Sequence, residues 1–199
     1  MRKIFVSVVL MAILATIGCA GPQADTEDTR TAPSKTYTME QFMETVSIGG
    51  SSFSPDETKL LVSSNETGVY NVYELDLATG TRTPVTEGED TTFAVAYMPN
   101  DGRILFTRDQ EGNEINHLYL RELDGTVRDL TEGEETKEQF AGYNNDLSTF
   151  YPVNNRRDPK FFDLFEWDVA TLESRMVYRN ETGLDPETWT PDGRWMVLS

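Results

Sequence analysis

The sequence repeats itself with a period of 45 or 46 residues, and this repeat restricts the folds open to the chain. A turn motif with an aspartate recurs four times, an aromatic position recurs three times, and a Thr-Glu-Gly tripeptide recurs twice. These landmarks are Asp56, Asp101, Asp146 and Asp192; Tyr73, Tyr119 and Phe165; and Thr86–Gly88 and Thr131–Gly133. Several landmarks in phase indicate a true structural repeat of 40–50 residues.

Each repeat reads as three short β-strands separated by turns. In the first repeat these are a run at 60–62, a longer run at 69–77 and a last short run that ends at 85–86. Alternate residues of a strand point to opposite faces. Both faces of the longer run carry apolar residues, as expected for a sheet packed between two neighbouring sheets. A period of this length with several strands is typical of a β-propeller blade. The sequence therefore predicts an all-β chain.

The predicted propeller occupies residues 37–199, with blades at about 50–90, 91–135, 136–183 and 184–199. The fourth blade is partial and is expected to contain only its first strand, Arg194–Leu198. A strand at 46–50 is expected to open the propeller. Because three blades and one strand cannot close a ring, and an unpaired sheet edge is a liability, we expect the chain to be part of a longer protein.

Residues 1–18 have the features of a signal peptide: Arg2 and Lys3 precede an apolar stretch that is too short to span a bilayer comfortably. The only cysteine, Cys19, follows directly. This junction resembles a bacterial lipoprotein signal with Cys19 as the lipidated residue, although Thr16 replaces the usual aliphatic residue. We expect a lipid-anchored protein of the bacterial cell envelope that faces the periplasm or the exterior; the alternative is secretion after cleavage near Ala20.

Residues 19–36 contain almost no apolar side chains and are predicted to be a disordered tether. A short helical turn is predicted after it, with Thr38 as N-cap and Gln41 as its capping-box partner.

The formal charge of −17, about −19 without Arg2 and Lys3, argues against nucleic acid as a partner. With one cysteine in the leader and one histidine, His117, the chain offers no cysteine cluster or histidine-rich metal site, and no cofactor or metal is expected. His117 is expected to be a structural residue of a blade strand. The four repeated aspartates are expected to accept backbone hydrogen bonds in their turns.

Three stretches carry a resemblance to a known family: FSPDETKLLVSSNETGVYNVYELDLATG, PNDGRILFTRDQEGNEINHLYLRELDG and NNRRDPKFFDLFEWDVAT. They resemble the N-terminal propeller of the prolyl oligopeptidase (S9) serine peptidases, closest in character to bacterial acylaminoacyl-peptidases and dipeptidyl-peptidase-like members. The resemblance covers about Tyr37 to Ser199. The aromatic-Ser/Thr-Pro-Asp turns at 53–56 and 189–192 are similar also to TolB-like repeats, and the fold class is thus a WD40-like or TolB-like partial propeller.

The resemblance implies a two-part enzyme, in which the propeller limits peptide access to a C-terminal hydrolase domain with a Ser-Asp-His triad. No G-x-S-x-G motif is present in this sequence, so no catalytic residue is assigned and the chain alone is expected to be inactive. The expected partners are a peptide substrate, through the hydrolase domain, and a membrane. The alternative is a TolB-like binding module of the envelope without enzymatic activity.

Two charged segments are the remaining candidates for contact with a peptide. Arg156-Arg157-Asp158 is expected to lie in a loop, either as a solvated turn, as an Arg–Asp pair that holds the loop, or as a group that orients a peptide end. Glu134, Glu135 and Glu138 are expected to form an acidic loop, and no role in capturing a substrate amine is assigned to them.

Overall fold

Each repeat folds into one antiparallel sheet in the computed structural model, which describes residues 35–190 and 194–199. The strands follow one another in chain order within each sheet. Sheet 1 contains β1 (Ile48–Phe53), β2 (Lys59–Ser64), β3 (Asn71–Asp76) and β4 (Arg82–Pro84); sheet 2 contains β5 (Thr92–Tyr97), β6 (Ile104–Arg108), β7 (His117–Arg121) and β8 (Val127–Asp129); sheet 3 contains β9 (Glu138–Tyr143), β10 (Thr149–Asp158), β11 (Phe161–Asp168) and β12 (Ser174–Tyr178); sheet 4 contains β13 (Pro186–Trp189) and β14 (Met196–Leu198).

The short helix α1 (Met39–Met43) belongs to a unit separate from the sheets. The backbone N–H of Gln41 donates to the Thr38 hydroxyl, and the backbone N–H of Thr38 donates to the Gln41 side chain, both at 3.2 Å. This reciprocal pair satisfies two amides that the first helical turn leaves without partners. The predicted capping box is confirmed.

The first strand of the sheets after sheet 1 was missing from the sequence prediction. The three predicted strands of a repeat are the second, third and fourth strands of its sheet, whereas β5, β9 and β13 were not predicted. The expectation of one strand in the last repeat was therefore wrong. Sheet 4 contains two strands, and the predicted strand at Arg194–Leu198 is the second of them, β14.

A β-bulge explains why the first strands are hard to detect. In all four sheets the pairing of the first and second strands shifts by one residue at the same point of the repeat. The extra residue interrupts the alternation of inward and outward side chains from which strands are predicted. The bulged residues are Ser51, Val95, Ala141 and Glu187.

Both faces of sheet 2 are buried. Ile104 and Phe106 pack into a cluster shared with sheet 1, while Leu105, between them in sequence, packs into a cluster shared with sheet 3. The third strand behaves in the same way, with Tyr119 in the first cluster and Leu120 in the second. Full burial of such side chains contributes about 1.5–3 kcal/mol each, so the faces of the sheets hold neighbouring repeats together.

The repeated aspartates have the predicted structural role wherever the structure describes them. Asp56, Asp101 and Asp146 each accept a hydrogen bond from the backbone N–H two residues further on, at 3.2, 3.1 and 3.0 Å. Asp192 lies outside the described residues. Hydrogen bonds from the Ser54 and Thr58 side chains, followed by the Thr58 amide, lower the pKa of Asp56 to about 2. The residue after each of the three aspartates has a left-handed backbone, with φ of 56°, 76° and 60°.

The Thr-Glu-Gly landmark also has a physical reason. The hydroxyl of Thr86 accepts a hydrogen bond from the amide of Val72, and the hydroxyl of Thr131 accepts one from the amide of Leu118, each at 2.9 Å. In both repeats the threonine follows the fourth strand and provides a partner for an amide of the third strand. This hydrogen bond ties the third strand to the segment that follows the fourth strand.

Candidate functional site

Neighbouring sheets are joined by hydrogen bonds between their first strands. The bulged Ser51 donates its hydroxyl hydrogen bond to the carbonyl of the bulged Val95 in the next sheet. The amide of Tyr97 donates to the Ser52 hydroxyl at 3.3 Å, and the Tyr143 hydroxyl donates to the Tyr97 carbonyl at 2.9 Å. The bulges of sheets 1 and 2 thus contact each other directly, and further hydrogen bonds join the first strands of sheets 1, 2 and 3.

A buried polar side chain lies at or near the start of the third strand in each of sheets 1, 2 and 3. Asn71, His117 and Asp163 lie 46 residues apart and are 2%, 7% and 0% exposed. Each one hydrogen-bonds to the segment in or after its fourth strand: Asn71 to the Gly88 carbonyl, His117 to Asp129, and Asp163 to the Asn180 amide. This set was not predicted from the sequence, although the 46-residue spacing was the signal that could have revealed it.

The arginines of the NNRRD segment are part of a strand and its ion pairs. Arg156, Arg157 and Asp158 end β10, so the prediction of a loop at these positions was wrong. Arg157 makes two hydrogen bonds of 2.8 Å to the buried carboxylate of Asp163 and a third, of 2.6 Å, to the Asn180 carbonyl. The expected Arg–Asp pair therefore exists, but its acid comes from the facing strand and not from Asp158.

The neighbouring arginine is also held in place. Arg156 forms an ion pair with Glu132, at the end of sheet 2, and its guanidinium lies 5.7 Å from the ring centre of Phe165. A guanidinium over an aromatic face is attracted by the negative potential of the ring. Both arginines are thus engaged by acids of the chain, which favours a structural role over direct binding of a peptide end.

Glu138 is not in an acidic loop, as was expected, but is the first residue of β9. Its side chain is 1% exposed, whereas Glu134 and Glu135 are exposed as expected for a loop. Burial raises the pKa of Glu138 to about 7. The Thr131 hydroxyl, the Asn154 amide and the charge of Arg156 lower the pKa in part, and the charge of Asp129 raises it further.

His117 has the predicted place in a strand and does not form part of a catalytic triad within the described residues. Its Nδ1 atom lies 2.8 Å from a carboxylate oxygen of Asp129. A triad would need a nucleophile at the other ring nitrogen. No serine, threonine or cysteine in the described ranges forms a hydrogen bond with that nitrogen.

A groove of about 810 Å³ lies between sheets 3 and 4. Tyr151 and Trp189 form one wall, with ring centres 4.5 Å apart, and the Tyr151 hydroxyl donates to Glu166 at 3.2 Å. Arg175, which pairs with Glu166, also lines the groove. Aromatic rings next to an acid and a base are a lining that suits an amphipathic ligand. Glu166 and Arg175, however, already pair with each other.

Neither a metal centre nor a membrane-spanning helix emerges from the part of the chain that the structure describes. Residues 35–190 and 194–199 contain no group of three or more potential ligands that could hold a metal ion. They also contain no helix that is both long and apolar enough to cross a bilayer. Cys19, the predicted lipidation site, lies outside the described residues.

The comparisons with known proteins identify the fold. No family model and no curated protein matches the sequence. TolB from Acinetobacter baumannii superimposes with a TM-score of 0.52 and 23% identity, over 76% of this chain and 37% of that one. The fold is a partial β-propeller. The same arrangement is found in a prolyl endopeptidase, with a TM-score of 0.54 and 14% identity over 72% of this chain and 23% of that one. It is also found in a puromycin hydrolase, with a TM-score of 0.52 and 20% identity over 77% of this chain and 25% of that one.

The propeller thus resembles both TolB and the N-terminal domain of S9 peptidases, as the sequence motifs predicted. The chain spans between about a quarter and two fifths of the length of these proteins.

Proposed function

We propose that this chain is the non-catalytic propeller portion of a secreted or membrane-anchored S9 serine peptidase. Two similarities agree and support the proposal. The NETG, DQEGNE and NNRRD motifs resemble the S9 propeller, and the fold matches that of the propellers of a prolyl endopeptidase and a puromycin hydrolase. In such an enzyme the hydrolase domain carries the triad, and the propeller admits peptides while it excludes folded proteins.

The structure supports this role through its rigidity and through one extended element. Hydrogen bonds between the first strands and the two apolar clusters hold the first three sheets together. The β10–β11 hairpin has strands of 10 and 8 residues, whereas its counterparts in sheets 1 and 2 have strands of 6 and 5 residues. In the proposed enzyme this hairpin, braced by Arg157 and Asp163, is the element that reaches toward the hydrolase domain or the entering peptide.

The second candidate is a TolB-like binding module of the cell envelope. TolB from Acinetobacter baumannii matches 76% of the chain, a share between those of the prolyl endopeptidase (72%) and the puromycin hydrolase (77%), so the fold fits this class equally well. The aromatic-Ser/Thr-Pro-Asp turns fit either class. Under this alternative the propeller holds a protein or glycan partner and no hydrolase domain follows.

The deciding experiment is to read the gene beyond codon 199 and to assay its full product. The peptidase proposal expects G-x-S-x-G followed by Asp and then His, together with covalent labelling of the purified protein by a fluorophosphonate probe. Replacement of the motif serine by alanine should abolish the labelling. Further propeller sheets followed by a stop codon would favour the binding module instead.

Anchoring through Cys19 is tested separately. We expect the natural protein to fractionate with membranes and to incorporate labelled palmitate, because acyl chains hold a protein at a bilayer through their buried methylene groups. Cys19→Ser should release it to the soluble fraction. Thr16→Leu, which restores the usual aliphatic residue of the signal, is the matched control and should preserve both properties. Equal membrane association of the Cys19→Ser variant would refute lipid anchoring.

A further inference from the structure

Arg108, the last residue of β6, has no acidic partner although the chain is strongly acidic. Within residues 35–190 and 194–199, other arginines pair with acids, as Arg82 does with Glu66 and Arg157 with Asp163. The Arg108 guanidinium makes neither an ion pair nor a hydrogen bond with these residues. The chain has 34 acidic residues and 17 basic ones, so acids are available in excess. An arginine that stays unpaired under these conditions keeps its hydrogen-bonding capacity for a ligand.

An aromatic ring holds this guanidinium in place. Its central carbon lies 4.5 Å from the ring centre of Tyr119 in the neighbouring strand β7. The negative potential of the ring face attracts the cation and fixes the plane of the group. Of the three nitrogens only Nε is buried, so the two terminal nitrogens are accessible. A planar fork of this kind matches the two oxygens of a carboxylate.

The fold itself does not need an arginine at this position. The repeat places Ser64 in sheet 1 and Asn154 in sheet 3 where sheet 2 has Arg108, because all three pair with the buried polar residue of the third strand. Ser64 and Asn154 are 0% and 6% exposed, and each accepts a hydrogen bond of 3.3 Å from the backbone N–H two residues further on. A short polar side chain is therefore sufficient in the other two sheets, and Arg108 is a departure from the repeat.

Arg108 lines an open hollow of about 610 Å³ between the β6–β7 loop and the segment before β5. The hollow is bordered by polar side chains: Asp90, Arg108, Gln110, Glu111 and Asn113. Its walls are tied together, because the Asn113 side-chain oxygen accepts a hydrogen bond of 3.3 Å from the Gln110 amide and the Asp90 carboxylate accepts one of 3.0 Å from the Glu111 amide. The hollow is thus formed without a ligand.

We propose that this hollow binds a carboxylate group of a peptide, with the two terminal nitrogens of Arg108 as the main donors. The carboxylate belongs either to the C-terminus of the peptide or to an acidic side chain. Gln110 and Asn113 offer further N–H donors, whereas Asp90 and Glu111 can accept hydrogen bonds from the N–H groups that a peptide carries beside its carboxylate. The site does not depend on the proposed hydrolase domain.

Other ligands fit the hollow less well. A doubly charged anion such as phosphate would be repelled by both Asp90 and Glu111. A metal cation would be repelled by Arg108, and the described residues contain no group of three or more potential metal ligands. A peptide carboxylate brings a single negative charge together with N–H donors, which matches the mixture of groups in the lining.

The test is an NMR titration of the purified chain, with the backbone amides of Glu111 and Gly112 as reporters. The first probe is acetyl-glycylglycine, which has a free carboxylate, and its control is the corresponding C-terminal amide. The second probe is acetyl-glutamate amide, with acetyl-glutamine amide as its control. We expect at least one acid to shift the reporters to saturation and to bind at least about tenfold more tightly than its amide. The probe that does so identifies the source of the carboxylate. Equal binding of acid and amide in both pairs, or no shift with either acid, would overturn the proposal.

Variants of the arginine assign the site. Arg108→Gln should abolish the shifts, and Arg108→Lys, which keeps the charge but loses the fork, should weaken binding. Arg121→Gln removes another arginine of sheet 2 that does not line the hollow, and it should bind as the unmodified protein does. Unchanged binding by a folded Arg108→Gln variant would refute the assignment. If that variant fails to fold, the comparison of acid and amide in the unmodified protein still decides.

Discussion

The carboxyl group of Glu138 lies between two sheets without a basic group in ion-pair contact among the described residues. Burial raises its pKa to about 7, whereas the same group in the unfolded chain titrates near 4.5. Between these two pH values the folded protein binds a proton that the unfolded chain has lost. The free energy of unfolding therefore falls as the pH rises through this window, and the stabilising effect of the neutral acid is fully present only below it.

Glu138→Gln should remove this pH dependence, because glutamine stays neutral at every pH. We expect the variant to be as stable as the natural protein near pH 4.5 and more stable above pH 7, by about 3 kcal/mol, since one pKa unit corresponds to about 1.4 kcal/mol. Urea unfolding at a series of pH values measures the difference. Glu135→Gln, an exposed acid in the adjacent loop, is the matched control and should leave the profile unchanged. Parallel profiles for the natural protein and Glu138→Gln would contradict the prediction.

Residues also show the limit of what sequence predicts. The turn aspartates were predictable because their partners are two residues away, within the motif itself. The pairing of Arg157 with Asp163 depends on the register of two facing strands, which the local pattern does not contain. Glu138 was assigned to an acidic loop together with Glu134 and Glu135, and of these three only Glu138 is buried. Its repeat position, 46 residues after the buried Thr92, was the signal for a strand.

At the scale of elements, the second, third and fourth strands were predictable, whereas the first strands of sheets 2, 3 and 4 were not. The middle strands β6 and β7 each contain three consecutive large apolar residues, which local propensity identifies well. The first strands contain small residues such as Gly50, Ala94 and Gly142, and a bulge interrupts each one. These strands make hydrogen bonds to the first strands of neighbouring sheets. The partners are about 45 residues away in the sequence, so a local sequence pattern does not predict such contacts.

The contact between the third and fourth strands gives a prediction for a single element. Thr131→Val preserves the shape of the side chain but leaves the buried amide of Leu118 without its 2.9 Å hydrogen bond. We expect a loss of about 1–3 kcal/mol in the free energy of unfolding. Thr131→Ser keeps the hydroxyl and should recover most of that loss. Chemical denaturation of both variants measures the effect, and equal stability of the two would show that the hydroxyl does not support the sheet.

At the scale of the whole molecule, the sheets differ in how much of their surface is covered. Sheet 2 is packed on both faces, and its apolar residues at 104–106 and 118–120 are at most 4% exposed. Sheet 1 leaves Ile48 and Phe53 more than half exposed. Sheet 4 has only two strands, and none of its described residues is buried. The repeats are therefore nearly equal in sequence pattern but unequal in the contacts that stabilise them.

This inequality predicts a gradient of hydrogen exchange along the chain. Amides open locally with a free energy that follows their burial and contacts, so the strands of sheet 2 should exchange only in the rarest openings. We expect Ile104–Arg108 and His117–Arg121 to exchange at least about tenfold more slowly than Pro186–Trp189 and Met196–Leu198, a difference of about 1.4 kcal/mol in opening free energy. Exchange followed by mass spectrometry on proteolytic peptides resolves these segments.

Leu105→Ala, which opens a cavity on the face toward sheet 3, should accelerate exchange in sheets 2 and 3 and leave sheet 4 unchanged. Uniform protection across all four sheets would mean that they open as one cooperative unit, and the packing between neighbouring sheets would then not set their individual stabilities.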